Sequence, residues 1–187
     1  MAGAAKRKMH LGVFLMPTGH HVAAWLHPDA QPDAPLNLPH IMELARTAER
    51  GKFDMVFLGD GVAVRNAPLE TLSRTAQYTS YFEPLTLLSV LSTVTTRVGL
   101  VATASTSYSY PYYLARLFAS LDHLSGGRAG WNIVTSSGDE GAQNFNRTVH
   151  YEHDERYVMA QEFTDVCLGL WDSWEDDAFL YDRDQGR

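Results

Sequence analysis

Leu121-Asp122-His123-Leu124-Ser125-Gly126-Gly127-Arg128-Ala129-Gly130-Trp131-Asn132-Ile133-Val134-Thr135-Ser136 reads as the end of one element and the whole of the next. Upstream, Leu114, Leu117, Phe118 and Leu121 recur at helical spacing from a start near Pro111. That helix stops at Ser125-Gly126-Gly127, where glycine permits a left-handed cap. Ala129–Val134 is then a short apolar run bounded by turn residues, the pattern of a covered strand, and it empties into the hydroxyl-rich Thr135-Ser136-Ser137.

The same unit repeats outward from this stretch. Strand-like runs are His10–Met16, Asp54–Leu58, Val98–Ala102 and Ala129–Val134, each followed by a segment of helical period. After the first come Leu38, Ile41, Leu44, Ala45 and Ala48 on one face, with Pro39 in the first turn and Gly51 at the end. A long loop from Gly59 to Phe82 follows the second, then Pro84 and the series Leu85, Leu88, Leu91 and Val94. The last helix spans about Glu152 to Trp171 and is expected to bury Phe163, Val166 and Leu170. Alternating strands and helices imply right-handed crossovers and a parallel sheet, an α/β fold whose chemistry belongs to the loops at the strands' carboxyl ends.

Composition narrows the function. The 187 residues are 45% hydrophobic and 20% charged, enough for one core, and the formal net charge of −7 offers no positive field for nucleic acid or anionic lipid. The single cysteine, Cys167, cannot form an internal disulfide and sits among apolar neighbours, so a cytoplasmic location is expected. Lys6-Arg7-Lys8 followed by Leu11 to Met16 imitates a signal peptide, but Pro17 cuts the run and no small-residue cleavage site follows. No run approaches the roughly 18 apolar residues of a membrane span, so no membrane partner is expected.

The carboxyl-end loops carry the candidate residues. Pro17-Thr18-Gly19-His20-His21 offers two adjacent histidines, which point in different directions in most backbones and so suit a pocket contact better than a shared metal. Asp60, between Gly59 and Gly61, is either a turn former or a ligand contact. Thr103-Ala104-Ser105-Thr106-Ser107 either caps its own backbone or admits a flat ligand. Asn132, inside an apolar strand, either anchors a core network or faces a polar pocket, and the pocket is the preferred reading. His153 and Tyr157 share a face at a helix start, where the free N–H groups favour an anion. The chain lacks G-x-G-x-x-G after the first strand, G-x-x-x-x-G-K-[ST], H-E-x-x-H and G-x-S-x-G, so dinucleotide, P-loop, zincin and hydrolase readings lose support.

Taken together, Phe57-Leu58-Gly59-Asp60-Gly61, Gly99 through Thr106, Tyr110 through Arg116, Leu121 through Ser136 and His153-Asp154-Glu155-Arg156-Tyr157 resemble the luciferase-like flavin monooxygenases. Within them the chain is similar to the nitrilotriacetate, dibenzothiophene-sulfone and long-chain alkane monooxygenase branch. The resemblance implies a (β/α)8 TIM-type barrel, of which residues 1–187 form a single partial domain, the amino-terminal half with four βα units, ending before the fifth strand. It implies reduced FMN from a separate flavin reductase, reaction with O2 through a C4a-hydroperoxyflavin, and oxygenation of a small organic substrate. It places Asp60 and Thr103 at the flavin ring or ribityl chain, His153 and Tyr157 at the phosphate end, Asn132 among the cofactor contacts, and His20 as a proton donor at the reactive edge, with no metal. Open strand edges and an uncovered inner face lead to the expectation of a homo-oligomer. The alternatives are a non-catalytic half-barrel or self-association module, and a metal-dependent hydrolase using His20, His21, Asp60 and His153.

Overall fold

In a computed structural model, residues 8–74 and 79–187 are described, so Lys6 and Arg7 of the leader-like start and part of the Gly59–Phe82 loop lie outside the described residues. The strands are β1 (Gly12–Phe14), β2 (Met55–Leu58), β3 (Gly99–Ser105) and β4 (Ala129–Val134). The helices are α1 (Leu38–Arg50), α2 (Leu69–Leu72), α3 (Pro84–Leu91), α4 (Pro111–Ser125), α5 (Asp139–Asn144) and α6 (His153–Trp171). Two 3-10 turns, Ala24–Leu26 and Ala34–Leu36, lie between β1 and α1. The sheet is parallel in the order β1-β2-β3-β4.

The strands differ from expectation at their ends. β1 covers only Gly12–Phe14 of the expected His10–Met16, because ladder pairing with β2 runs only from Gly12 opposite Met55 to Phe14 opposite Phe57. β3 runs on past Ala102 to Ser105, since Thr103 and Ser105 still pair with Asn132 and Val134 of β4. Hydroxyl residues there looked like loop, but cross-strand pairing outweighs that local preference. In α6, Phe163 is buried but Val166 is 42% exposed and Leu170 only partly covered; Cys167 is fully buried instead. Ala160, Phe163 and Cys167 form the inward seam at spacings of three and four, and Val166 lies about 100° off it.

Alternation along the strands separates two faces. Val56, Leu58, Leu100 and Ala102 join Ile41, Ala45, Leu88, Leu91, Leu114 and Phe118 in the core between sheet and helices. Trp131 packs on the same side against Phe118, Phe163 and Trp171, with ring centroids 5.4, 6.1 and 6.3 Å away. The other face is largely uncovered: Phe14 is 42% and Met55 40% exposed. A side chain at Gly59 would meet the Phe14 ring at 2.8 Å, so glycine there gives that ring its place.

Two polar clamps close the amino-terminal side of the sheet. Glu49 accepts hydrogen bonds from the backbone N–H groups of Thr96, Arg97 and Val98 at 2.9, 2.7 and 3.0 Å. Burial alone would raise its carboxyl, but these three donors hold it at about 2. Arg128 donates to the carbonyls of Ser92, Thr95, Val98 and Ser125 and to Thr95 Oγ1, tying the ends of α3 and α4 to the entry of β4. Gly126, with φ 68°, forms the left-handed cap expected of Ser125-Gly126-Gly127. Among the described residues no helix is long and apolar enough to cross a membrane.

Candidate functional site

The carboxyl ends of β2, β3 and β4 open into one cleft of about 810 Å³. The loop after β2 supplies Asp60 through Asn66, β3 supplies Thr103–Ser105, β4 and its loop supply Ile133–Ser137, α5 supplies Glu140 and Gly141, and α6 supplies Tyr157. The volume falls within the roughly 300–1,000 Å³ of ordinary ligand pockets. Asn144 Nδ2 donates to the Val62 carbonyl at 2.9 Å, which ties the short α5 to the β2 loop across the cleft's rim.

Of the residues singled out in the sequence, Asp60, Thr103 and Tyr157 line this cleft. Thr103 is 5% exposed, and its Oγ1 accepts a 2.9 Å bond from Asn132 Nδ2. Asn132 is therefore not itself a wall of the cleft; it acts on the cleft through Thr103, its register partner. Because Oγ1 accepts from Asn132, the Thr103 proton is left to donate elsewhere. Ser105 Oγ likewise accepts from Ser136 Oγ at 2.7 Å and from the Ser107 N–H at 3.2 Å.

Asp60 is partly buried, and burial together with the nearby Glu83 charge pushes its carboxyl up to about 6, against hydrogen bonds from Gly61 and Tyr81 that favour the charged form. The Tyr81 hydroxyl also lies 3.3 Å from the Gly61 carbonyl. Tyr81 comes from the long loop before α3, and nothing in the sequence pattern marks it.

His153 opens α6 one turn before Tyr157, the two rings 4.9 Å apart, and its Nδ1 donates to Asp154 Oδ1 at 2.8 Å. It is exposed and does not line the cleft. Glu152, the cap residue of α6, makes no side-chain hydrogen bond to the helix's first N–H groups, and Asp154 and Glu155 lie in the first turn. Arg156, in the same turn, donates to the Ser136 carbonyl and holds Ser136 in the left-handed region at φ 58°. Nothing in the sequence pattern marks this holding role of Arg156.

His20 stands apart from these residues. It is exposed, its ring meets Phe14 edge-on at 5.2 Å, and its Nε2 lies 3.0 Å from the Phe14 carbonyl. A carbonyl only accepts, so Nε2 carries the proton and Nδ1 of the neutral ring is an acceptor. Proton donation from Nδ1 therefore requires the imidazolium. His21 Nδ1 is occupied by the Ala23 N–H at 3.1 Å. Among the described residues no three of His, Cys, Asp and Glu come together in a metal-holding group, so His20, His21, Asp60 and His153 do not converge.

Residues 9–183 match the family model described as luciferase-like monooxygenase. The chain is 55% identical over 183 residues to N-acetyl-S-(2-succino)cysteine monooxygenase of Bacillus subtilis (strain 168), an alignment covering 97% of this chain and 40% of that protein. It is 45% identical to nitrilotriacetate monooxygenase component A of Aminobacter aminovorans, over 98% of this chain and 42% of the relative. The crystal structure of a riboflavin lyase with modified FMN and riboflavin superposes with a TM-score of 0.85 at 33% identity, covering 97% of this chain and 42% of the other. The chain thus spans about 40% of the length of the curated relatives it matches.

Proposed function

Because the chain belongs to the luciferase-like monooxygenase family, we propose that its cleft holds the FMN of a two-component monooxygenase acting on a small organic substrate. The observation that carries this reading is the convergence of Asp60, Thr103 and Tyr157 on one cleft at the carboxyl ends of parallel strands. The donor set fits the group. Hydroxyls of Thr103 and Ser105 have protons to give to a flat polar ring system, and at the α6 start the Tyr157 hydroxyl and the free N–H groups are the donors for a phosphate, set against the carboxylates of Glu152, Asp154 and Glu155.

When bound, reduced FMN supplies the electrons that activate O2. Thr103, aimed by Asn132, orients the ring, and Asp60 on the cleft wall takes or releases a proton between about pH 5 and 7. Tyr157 and the first turn of α6 hold the phosphate, with His153 beside them. His20 stands over Phe14, on the loop that follows β1, with Nδ1 the ring nitrogen free to accept a proton and, once protonated, to donate it. The Phe14 and Phe57 rings lie 4.8 Å apart on the same sheet face and give the neighbourhood an apolar floor. A relative named component A supports a separate flavin reductase as partner.

Titration of FMN followed by quenching of its fluorescence tests the assignment. Tyr157→Phe removes one charge-assisted hydrogen bond of about 1.5–3 kcal/mol and should lower affinity roughly ten- to hundredfold. An unchanged dissociation constant excludes Tyr157 from the site.

A further inference from the structure

Arg156 spends a full charge on one carbonyl. Its side chain is partly buried and forms no ion pair among the described residues. Its Nη1 donates to the Ser136 carbonyl, and its Nε is buried with no hydrogen-bond partner. Desolvating a guanidinium with no carboxylate to face it is unfavourable, and an apolar side chain of that length would pack α6 against the sheet without the penalty. What the charge does lies in how it holds Ser136.

The segment it holds ends in a pair of hydroxyls. Three successive carbonyls at and after the end of β4 are each taken by a donor: that of Val134 by the Thr106 N–H at 2.9 Å, that of Thr135 by Ser107 Oγ at 2.6 Å, and that of Ser136 by Arg156. Ser136 has φ 58°, a conformation that a residue with a side chain keeps only where its surroundings impose it. From there its Oγ donates to Ser105 Oγ at 2.7 Å, which also accepts from the Ser107 N–H at 3.2 Å. With both lone pairs of Ser105 occupied, its own proton is left to donate, and Ser105 is a wall of the cleft.

We infer that Arg156 is a positioning residue for the flavin: by fixing Ser136 it makes Ser105 a donor into the cleft, as Asn132 does for Thr103. The inference rests on the cleft being the flavin site. Arg156 is not itself a wall of the cleft, whereas Tyr157, the next residue and about 100° further around the helix, is one. The first turn of α6 therefore meets the phosphate end through Tyr157 and sets the ring end through Arg156, so one helical turn aligns both ends of the cofactor.

A double-mutant cycle on FMN affinity, read by fluorescence quenching, tests this. Arg156→Met and Ser105→Ala should each weaken binding roughly five- to tenfold, the loss of one hydrogen bond. The double variant should be no more than about twofold worse than either, because both changes remove the same donor. Arg156→Lys keeps a charged donor and should bind FMN within about threefold of the parent. Ser136→Gly takes φ 58° without strain but has no hydroxyl to pass on, so adding Arg156→Met to it should cost no further affinity. Amide hydrogen exchange without FMN gives a readout independent of the cofactor: Ser107, whose N–H bonds to Ser105 Oγ, should exchange at least about fivefold faster in Arg156→Met. Losses that multiply in either cycle, parental affinity in Arg156→Met, or unchanged Ser107 exchange in that folded variant would overturn the positioning role. If the parent takes up no FMN while Ser107 exchange still responds to Arg156→Met, the flavin reading falls and the aiming of Ser105 by Arg156 stands.

Discussion

Asn132 Nδ2 donates to Thr103 Oγ1 at 2.9 Å across the β3–β4 register, and this bond decides which way the Thr103 hydroxyl can give its own proton. A strand amide that looks misplaced in an apolar run is thereby satisfied by its neighbour. It also sets a donor on the wall of the cleft.

Reversing that bond should be measurable. Asn132→Asp puts an acceptor opposite Thr103 and draws its proton away from the cleft, while Thr103→Val removes it. Each should weaken FMN binding roughly five- to tenfold, the equivalent of about 1–1.5 kcal/mol for one hydrogen bond. Equal FMN affinity in both folded variants and the parent would detach this pair from the site.

Asp60 gives a pH signature of opposite sign to most carboxylates. Its folded value of about 6 lies above the ordinary 3.8, so the folded state binds the extra proton. Stability should therefore fall as pH rises from about 4 to 6 and stay lower above it. Asp60→Asn should flatten that slope and stabilise the protein at neutral pH by on the order of 1 kcal/mol, solvent at this partly exposed group screening the rest of the shift. Denaturation midpoints that keep the same slope in the variant would show that Asp60 is not the titrating group.

Glu49 works the other way. With its carboxyl at about 2 against the ordinary 4.5, its contribution is complete above about pH 4.5 and is lost as pH falls through 2. Glu49→Gln should cost about 1–3 kcal/mol at neutral pH, since three backbone donors lose a charged acceptor. Urea unfolding at pH 7 and pH 3 checks this: the difference between variant and parent should shrink at the lower pH.

The uncovered sheet face predicts association of this chain. Phe14 and Met55, 42% and 40% exposed, sit on a face whose neighbours are themselves apolar, and β1 and β4 are edge strands. Light scattering of residues 1–187 at micromolar concentration should report dimers or larger species. A monodisperse monomer with a cooperative melt would contradict this.

Much of this architecture is written in local pattern. Leu114, Phe118 and Leu121, the Ser125-Gly126-Gly127 stop and the Ala129–Val134 run announce α4 and β4 because periodicity and turn chemistry agree there. The reach of β3 to Ser105 was hidden because Thr103 and Ser105 owe their strand conformation to β4, a non-local partner. At Val166 the apolar pattern points inward and the structure does not, because a hydrophobic residue one step from the buried row looks the same in sequence. Asp60, Thr103 and Tyr157 line one cleft, and as polar residues at strand ends and a helix start they stand out in the sequence as candidates. Tyr81 and the holding role of Arg156 do not, since both act through backbone carbonyls that sequence does not reveal.

A crystal structure of the protein with FMN tests the central claim most directly. Flavin is expected in the 810 Å³ cleft, its ring against Thr103 and Asp60 and its phosphate at Tyr157 and the first turn of α6. FMN bound elsewhere, or with its phosphate away from α6, would contradict it.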